Sequence, residues 1–155
     1  MFRRHPLLAA VTLAYLGLVA WITLGPQPLD ARGSALLYRI IARLSTHESL
    51  AWLSYSRVEF LANVAMFVPI GVLFLLLVGR RAWIMAVLAG IGTTLTIEFV
   101  QIVLPDRVSD PRDIVANSAG AALGVIAALI VTTPAALRDR RAERLRRGRV
   151  GAAAR

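Results

Sequence analysis

The sequence predicts an all-α integral membrane protein, a bundle of four transmembrane helices with a short amphipathic interfacial helix in the first outer loop. Hydrophobic residues make up 57% of its 155 positions, and the mean hydropathy is +0.66. Four apolar runs have a length of about 20 residues, which is what a helix needs to cross a hydrocarbon layer about 30 Å thick. Because these runs and their short joints fill most of the chain, we expect one membrane domain.

The four runs are expected to cross the membrane in chain order. They cover residues 7–24, 60–78, 82–104 and 114–133. A cleaved signal peptide is the alternative for the first run, because Arg3 and Arg4 precede it. However, this run exceeds the usual signal core of about 7–15 residues, and no small-x-small cleavage pattern follows at the right distance. The first run is therefore predicted to be a retained helix.

The placement of arginine predicts the orientation of the bundle. With both termini in the cytoplasm, the inner side carries twelve arginines and two acids, and the outer side six arginines and seven acids, so the net charges are +10 and −1. Short loops rich in Lys and Arg stay in the cytoplasm. We therefore expect a multi-pass protein of the cell membrane with cytoplasmic termini. No nucleic-acid partner is expected, since no aromatic residues are interleaved with the charge run.

Two segments lie outside the predicted spans. Residues 1–135 form the membrane domain, and residues 136–155 form a basic cytoplasmic tail that we expect to be disordered and to contact anionic lipid. The first outer loop combines apolar residues at helical spacing with two arginines on the other side, which is typical of a helix in the membrane interface. These loop residues are Leu36, Leu37, Ile40, Ile41 and Leu44, with Arg39 and Arg43 opposite. This helix is expected to cover the bundle, with lipid sensing as the alternative.

Polar residues gather at the predicted outer ends of the last three spans. An ionisable group inside a bilayer costs about 2.5–3.5 kcal/mol at a helix centre on insertion scales. A chain this apolar does not need such groups for its core, so they indicate a ligand-binding site. The candidate residues from the three helix ends and the last linker are Glu59, Asn63, Glu98, Gln101, Arg107, Asp110, Asp113 and Asn117.

Helical spacing assigns these polar residues to faces. One stripe of the fourth span carries Asp113, Asn117, Gly120 and Gly124. The last two form a GxxxG step, which lets a neighbouring helix approach closely in lipid. The third span has a matching stripe of Gly90, Thr94, Glu98 and Gln101. We expect these two stripes to pack against each other.

The residue types limit the chemistry of the candidate site. The chain has no Cys, and its two histidines are His5 and His47, so thiolate and histidine-rich zinc sites are excluded. Catalytic residues are not identified by any known pattern. Carboxylate oxygens suit Mg²⁺ or Ca²⁺, and the candidate ligands of such an ion are Glu98, Asp110 and Asp113. No cofactor is certain on these grounds.

The order and spacing of these residues resemble the VanZ-like family over about residues 57–130. The matching pattern N-x-x-x-F-x-P-x-G begins at Asn63, E-x-x-Q follows at Glu98, and R-x-x-D-x-x-D-x-x-x-N-x-x-G-x-x-x-G begins at Arg107. Pro111 departs from the aliphatic residue expected there. The resemblance implies a small bacterial multi-pass membrane protein, and the type member of the family lowers susceptibility to teicoplanin. An envelope lipid precursor or a lipopeptide-type antibiotic is then the expected partner.

Three interpretations of the polar residues remain open. The first is a membrane factor that acts at the outer leaflet in lipoglycopeptide resistance or cell-envelope maintenance. The second is a metal-assisted enzyme acting on a lipid phosphate or head group, with Arg107 or Arg112 binding the phosphate. The third is a structural lock without a ligand, in which Ser109 or Asp110 caps the fourth helix and Asn63 and Asn117 bond neighbouring helices.

Overall fold

The chain folds into four long helices. The computed structural model describes residues 6–25, 36, 39–43, 46–47, 54–104 and 109–153, with backbone alone from 134 onward. The helices are α1 (Pro6–Leu24), α2 (Tyr55–Val78), α3 (Trp83–Val103) and α4 (Pro111–Ala153), and a 3-10 turn, Arg80–Ala82, precedes α3. All four are long and apolar enough to cross a membrane. The predicted all-α bundle of four membrane helices is therefore confirmed.

Proline, glycine and a side-chain cap set the helix boundaries. Pro6 and Pro111 occupy first helical positions, where the missing N–H costs nothing. Asp110 caps α4, because its Oδ1 accepts a hydrogen bond of 2.9 Å from the N–H of Arg112. At the end of α2, Gly79 has φ 85° and donates its N–H to the carbonyl of Leu75 at 2.8 Å. That left-handed geometry favours glycine and reverses the chain into α3.

The bundle has two chemically different ends. The end of the bundle where α1 and α3 finish and α2 and α4 begin is called the polar end, and the opposite one the basic end. α2 begins five residues before the predicted apolar run because its first turns are polar: they include Arg57 and Glu59. Hydropathy alone therefore placed the start of α2 too far along the chain. The polar end contains about one more turn of α2 than the apolar run predicted.

Close packing joins α2 to α4, which run parallel. A Cβ added at Gly120 would lie 2.2 Å from the carbonyl oxygen of Val64, and one at Gly124 would lie 2.0 Å from that of Val68. A Cβ at Gly71 would lie 2.0 Å from the carbonyl oxygen of Ala121. Backbone therefore touches backbone along this pair, as small residues permit in lipid.

The prediction that the α4 stripe packs against the α3 stripe is wrong for its two glycines, although Asn117 of the same stripe does bond Thr94 of α3. The two α4 glycines face α2, which supplies Gly71 from its own side. α3 packs against the neighbouring face of α4, where a Cβ added at Gly90 would lie 2.5 Å from the Cβ of Ala121. Small residues predict a close neighbour, but both α2 and α3 carry a suitable glycine. The stripe therefore did not determine which of these two helices packs against the α4 glycines.

A narrow apolar core runs along the bundle axis. Near the middle, Phe67 and Ile70 of α2 are buried against Val19 of α1 and Ile97 of α3. α1 is also tied to α2 by a hydrogen bond of 2.9 Å from the Tyr15 hydroxyl to the carbonyl of Met66. Many large apolar side chains outside this core are exposed, which is the surface that lipid would cover.

At the basic end, Arg80 bonds the turn before α3 to α4. Its guanidinium donates hydrogen bonds of 2.8 Å to the carbonyl oxygen of Leu129 and to Oγ1 of Thr133, and a further one to Oγ1 of Thr132. Arg80 belongs to the 3-10 turn between α2 and α3, and its three acceptors lie in the last apolar turns of α4. The α2–α3 turn and the end of the α4 span are therefore held together.

The C-terminal tail and the first outer loop lie outside the four predicted spans. The tail was expected to be disordered, but α4 continues as helix to Ala153. Arg and Ala make up most of the tail, and both are strong helix formers, which the prediction from charge alone neglected. In the first loop, residue 36 and residues 39–43 are helical, with Ile41 buried and Ile40 exposed. Leu37 and Leu44 lie outside the described residues.

Candidate functional site at the polar end of the bundle

The predicted site residues form two neighbouring groups on either side of α4. The group facing α2 is called the acidic pocket, and the group facing α3 is called the buried polar cluster. The acidic pocket is lined by Ser56, Glu59, Phe60, Asp110, Arg112 and Asp113. The buried polar cluster contains Thr94, Glu98, Gln101 and Asn117, with Ser109 bonded to it.

The acidic pocket is built from the first turns of two parallel helices. Glu59 and Arg112 are exposed at its rim, whereas Asp110 and Asp113 are partly buried. Asn63, one turn below Glu59 on α2, donates a hydrogen bond of 2.8 Å from Nδ2 to Oδ1 of Asp113. Asp113 also lies in the first turn of α4, where the helix dipole favours a negative charge. The hydrogen bond from Asn63 therefore fixes the position of the Asp113 side chain.

Among the described residues that line the acidic pocket, the charges are unbalanced. Three carboxylates, those of Glu59, Asp110 and Asp113, line it together with the guanidinium of Arg112. When all four groups are ionised, two negative charges remain in excess. The Arg112 guanidinium also donates a hydrogen bond to Oγ of Ser56, across to α2. A small cleft with this charge attracts a positively charged group.

The buried polar cluster holds a carboxylate and two amides away from solvent. Glu98 is 4% exposed, Gln101 8% and Asn117 3%. Within the described part of the chain, Ser109 Oγ donates a hydrogen bond to Glu98 Oε2 at 2.6 Å, Gln101 Nε2 donates to the carbonyl of Thr23 at 3.1 Å, and Asn117 Nδ2 donates to Thr94 Oγ1 at 3.0 Å. These bonds join α3 to α1, to α4 and to Ser109, which lies just before α4.

Two acceptors of this cluster have no partner in the described part of the chain. They are Oε1 of Gln101 and Oδ1 of Asn117, both buried. An unsatisfied buried polar atom costs about 1–3 kcal/mol, and such atoms are rare in native proteins. Their presence beside a buried carboxylate gives the cluster more acceptors than donors.

Helix register sets the two groups at the same depth. α3 and α4 run antiparallel, and Asn117 is bonded to Thr94. Four residues toward the polar end from each of them lie Asp113 and Glu98, which are therefore level with each other. Their side chains take different partners, however: Asp113 bonds Asn63 on α2, and Glu98 bonds Ser109. Among the described residues, these polar side chains share a depth, but their hydrogen bonds do not connect Glu98 to Asp113.

The predicted divalent-cation site has no support in this geometry. Within the described ranges, no group of three or more His, Cys, Asp or Glu side chains is arranged to hold a metal ion. Glu98 lies in the buried polar cluster, whereas Asp110 and Asp113 line the acidic pocket. Asp110 is further engaged as the cap of α4. Arg107, the remaining predicted site residue, lies outside the described residues.

Ser56 and Phe60 are pocket residues that the sequence interpretation did not include. Both lie on the face of α2 that carries Glu59 and Asn63, since Ser56, Phe60 and Asn63 follow a spacing of four and three residues. This periodicity was a usable signal for Ser56. The unpaired oxygens of the buried polar cluster had no such signal, because a sequence does not assign partners to individual atoms.

Four apolar helices with a polar end define a small multi-pass membrane protein of helical bundle type. The family model described as VanZ/LLP1 matches residues 12–132, which is most of the chain. The chain therefore belongs to the VanZ/LLP1 family. No curated protein and no solved structure matches it significantly.

Proposed function

We propose that this protein acts at the outer leaflet of the cell membrane, where the acidic pocket binds a positively charged group of an amphiphilic ligand. The ligand is an amine-bearing envelope lipid precursor or a lipoglycopeptide antibiotic of the teicoplanin type. The outcome is resistance to such antibiotics or maintenance of the cell envelope. The resemblance to VanZ-like proteins supports this role, because the type member lowers susceptibility to teicoplanin.

The observation that carries the proposal is the charge of the acidic pocket. Glu59, Asp110 and Asp113 converge there with one guanidinium, and that guanidinium is already bonded to Ser56. Carboxylates in one small site repel each other unless a cation, a proton or a basic ligand relieves them. A cationic group entering from the lipid surface would supply the missing charge.

Orientation follows from the charge of the whole chain. The net charge of +10 on the side of the termini against −1 on the other side favours cytoplasmic termini. The polar end then faces outward, and the acidic pocket opens at the level of outer-leaflet head groups. On the cytoplasmic side, eight arginines between positions 138 and 155 are proposed to contact anionic lipid, at about 1 kcal/mol per charge near the surface.

A susceptible bacterium expressing the protein tests the resistance role. We expect the wild type to raise the inhibitory concentration of a teicoplanin-type antibiotic, and Glu59→Gln and Asp113→Asn to remove that protection. Glu143→Gln, a matched loss of one carboxylate in the tail, should protect like the wild type. Membrane levels and thermal stability must be equal in all four proteins. Full protection by both pocket variants would contradict the proposal.

Purified protein tests the envelope-lipid source of the ligand and the competing interpretations. In detergent, we expect amine-bearing lipids to stabilise the wild type against heat and not to be converted into product, with or without Mg²⁺. Product formation that depends on Mg²⁺ would favour a metal-assisted enzyme instead. If no ligand shifts the wild type and Asp113→Asn is merely less stable, the pocket is a structural lock.

A further inference from the structure

The buried polar cluster differs in kind from the acidic pocket. It lies between α3, α4 and the end of α1, and its polar side chains are more than nine-tenths buried. Glu98 and Gln101 lie one turn apart on α3, and Asn117 of α4 is bonded to Thr94, one turn from Glu98 on the other side. Oε1 of Gln101 and Oδ1 of Asn117 are unpaired. The unpaired atoms of Gln101 and Asn117 are therefore acceptors, not donors.

We propose that this cluster binds an alkali-metal cation such as Na⁺, coordinated by the Glu98 carboxylate and the side-chain carbonyls of Gln101 and Asn117. Hard cations prefer oxygen ligands of these two kinds. Amide and backbone carbonyls coordinate monovalent cations inside other membrane proteins, at sites enclosed by helices. The proposal does not depend on the ligand of the acidic pocket.

The charge of the cluster selects a monovalent ion. Among the described residues, Glu98 is the single carboxylate of the cluster, since Asp113 is directed to Asn63 on α2. A buried negative charge in a membrane is costly unless it is paired, and one monovalent cation neutralises it. A divalent cation would leave a net positive charge in the same surroundings, and within the described residues no group of three carboxylates or imidazoles is available for it.

A proton on Glu98 is not an equivalent solution. A protonated carboxyl group offers one O–H donor, whereas two carbonyl oxygens need a partner. Among the described residues, the Ser109 hydroxyl is already bonded to Glu98 and the Asn117 amide to Thr94. A metal ion accepts several oxygen ligands at once and satisfies the acceptors together.

The test compares purified protein in NaCl, KCl and N-methyl-D-glucamine chloride at equal ionic strength. We expect a higher melting temperature with an alkali cation than with N-methyl-D-glucamine, and stoichiometric retention of ²²Na⁺ by the wild type. Glu98→Gln and Gln101→Leu should each weaken ²²Na⁺ binding by about tenfold or more, since both remove an oxygen ligand or its charge. Glu143→Gln is the matched control and should bind like the wild type.

Two results would overturn the cation site. One is equal stability in all three salts with no ²²Na⁺ retained by the wild type, which would mean that the acceptors are satisfied by water. The other is ²²Na⁺ binding that survives unchanged in Glu98→Gln. Because wild-type retention is measured directly, the proposal stays falsifiable even if a variant does not fold. Amine ligands of the acidic pocket are absent from this experiment, so its failure leaves the pocket untouched.

Discussion

Asn63 and Asp113 lie fifty positions apart and are joined by a hydrogen bond of 2.8 Å from Nδ2 to Oδ1. This bond connects the second and fourth helices directly below the acidic pocket. It fixes the position of one pocket carboxylate, and it explains why the polar residues of α4 are shared between two neighbours: Asp113 is directed to α2 and Asn117 to α3.

The Asn63–Asp113 pair should show energetic coupling. Asn63→Ala and Asp113→Ala each remove the bond, so the double variant should lose less stability than the sum of the single variants. Interhelical hydrogen bonds in membranes average about 0.6 kcal/mol, with a maximum of about 1.7 kcal/mol, and we expect coupling in that range. A double-mutant cycle of unfolding free energies in bicelles measures it. Strictly additive losses would show that the bond contributes nothing to stability.

The contact between α2 and α4 should not tolerate added side chains. Gly120→Ala and Gly124→Ala would each place a methyl group within 2.2 Å of a carbonyl oxygen of α2. Overpacking of this kind costs about 1–3 kcal/mol, and separation of two backbones can cost more. Gly92→Ala is the control, because its Cβ meets nothing within 4 Å, and the gain in helix propensity should make it neutral or slightly stabilising. Equal unfolding free energies for all three variants would refute this packing.

The basic end should depend on Arg80 and not on its neighbour. Arg80→Ala removes three hydrogen bonds to α4, and bonds to a charged group are worth about 1.5–3 kcal/mol. Arg81→Ala removes the same charge from an exposed position and is the matched control. We expect a clear loss of unfolding free energy for Arg80→Ala alone. The same loss in both variants would indicate an effect of charge rather than of the observed contacts.

The topology predicts a cytoplasmic C-terminus. At the C-terminus, a reporter that works only in the cytoplasm should be active, and one that works only outside the membrane should be inactive. After Ser45, the two reporters should give the opposite result. The reason is the arginine bias, with twelve arginines on the side of the termini. A C-terminus found outside would reverse the bundle and place the acidic pocket at the inner leaflet.

Sequence patterns predicted the spans and the depth of the site because those depend on hydropathy and helical period. Glu98 and Asp113 were placed at one level by their distance from the helix ends, and the register of α3 and α4 puts them there. Neighbour choice was not predictable in the same way. Gly71 and Gly90 each offer a close approach to α4, and only the three-dimensional packing assigns the α4 glycines to α2. The unpaired oxygens of Gln101 and Asn117 depend on that packing as well.

Recognition of a cationic group by the acidic pocket is the central claim, and one binding measurement tests it directly. Fluorescent phosphatidylethanolamine and its N-acetylated form differ in a single positive charge, so nanodiscs holding the protein can compare them. We predict tighter binding of the amine form by the wild type and by Glu143→Gln, with the difference lost in Glu59→Gln and Asp113→Asn and reduced by salt. Equal binding of the two lipids by the wild type, or a preference for the amine that persists in both pocket variants, would contradict the account.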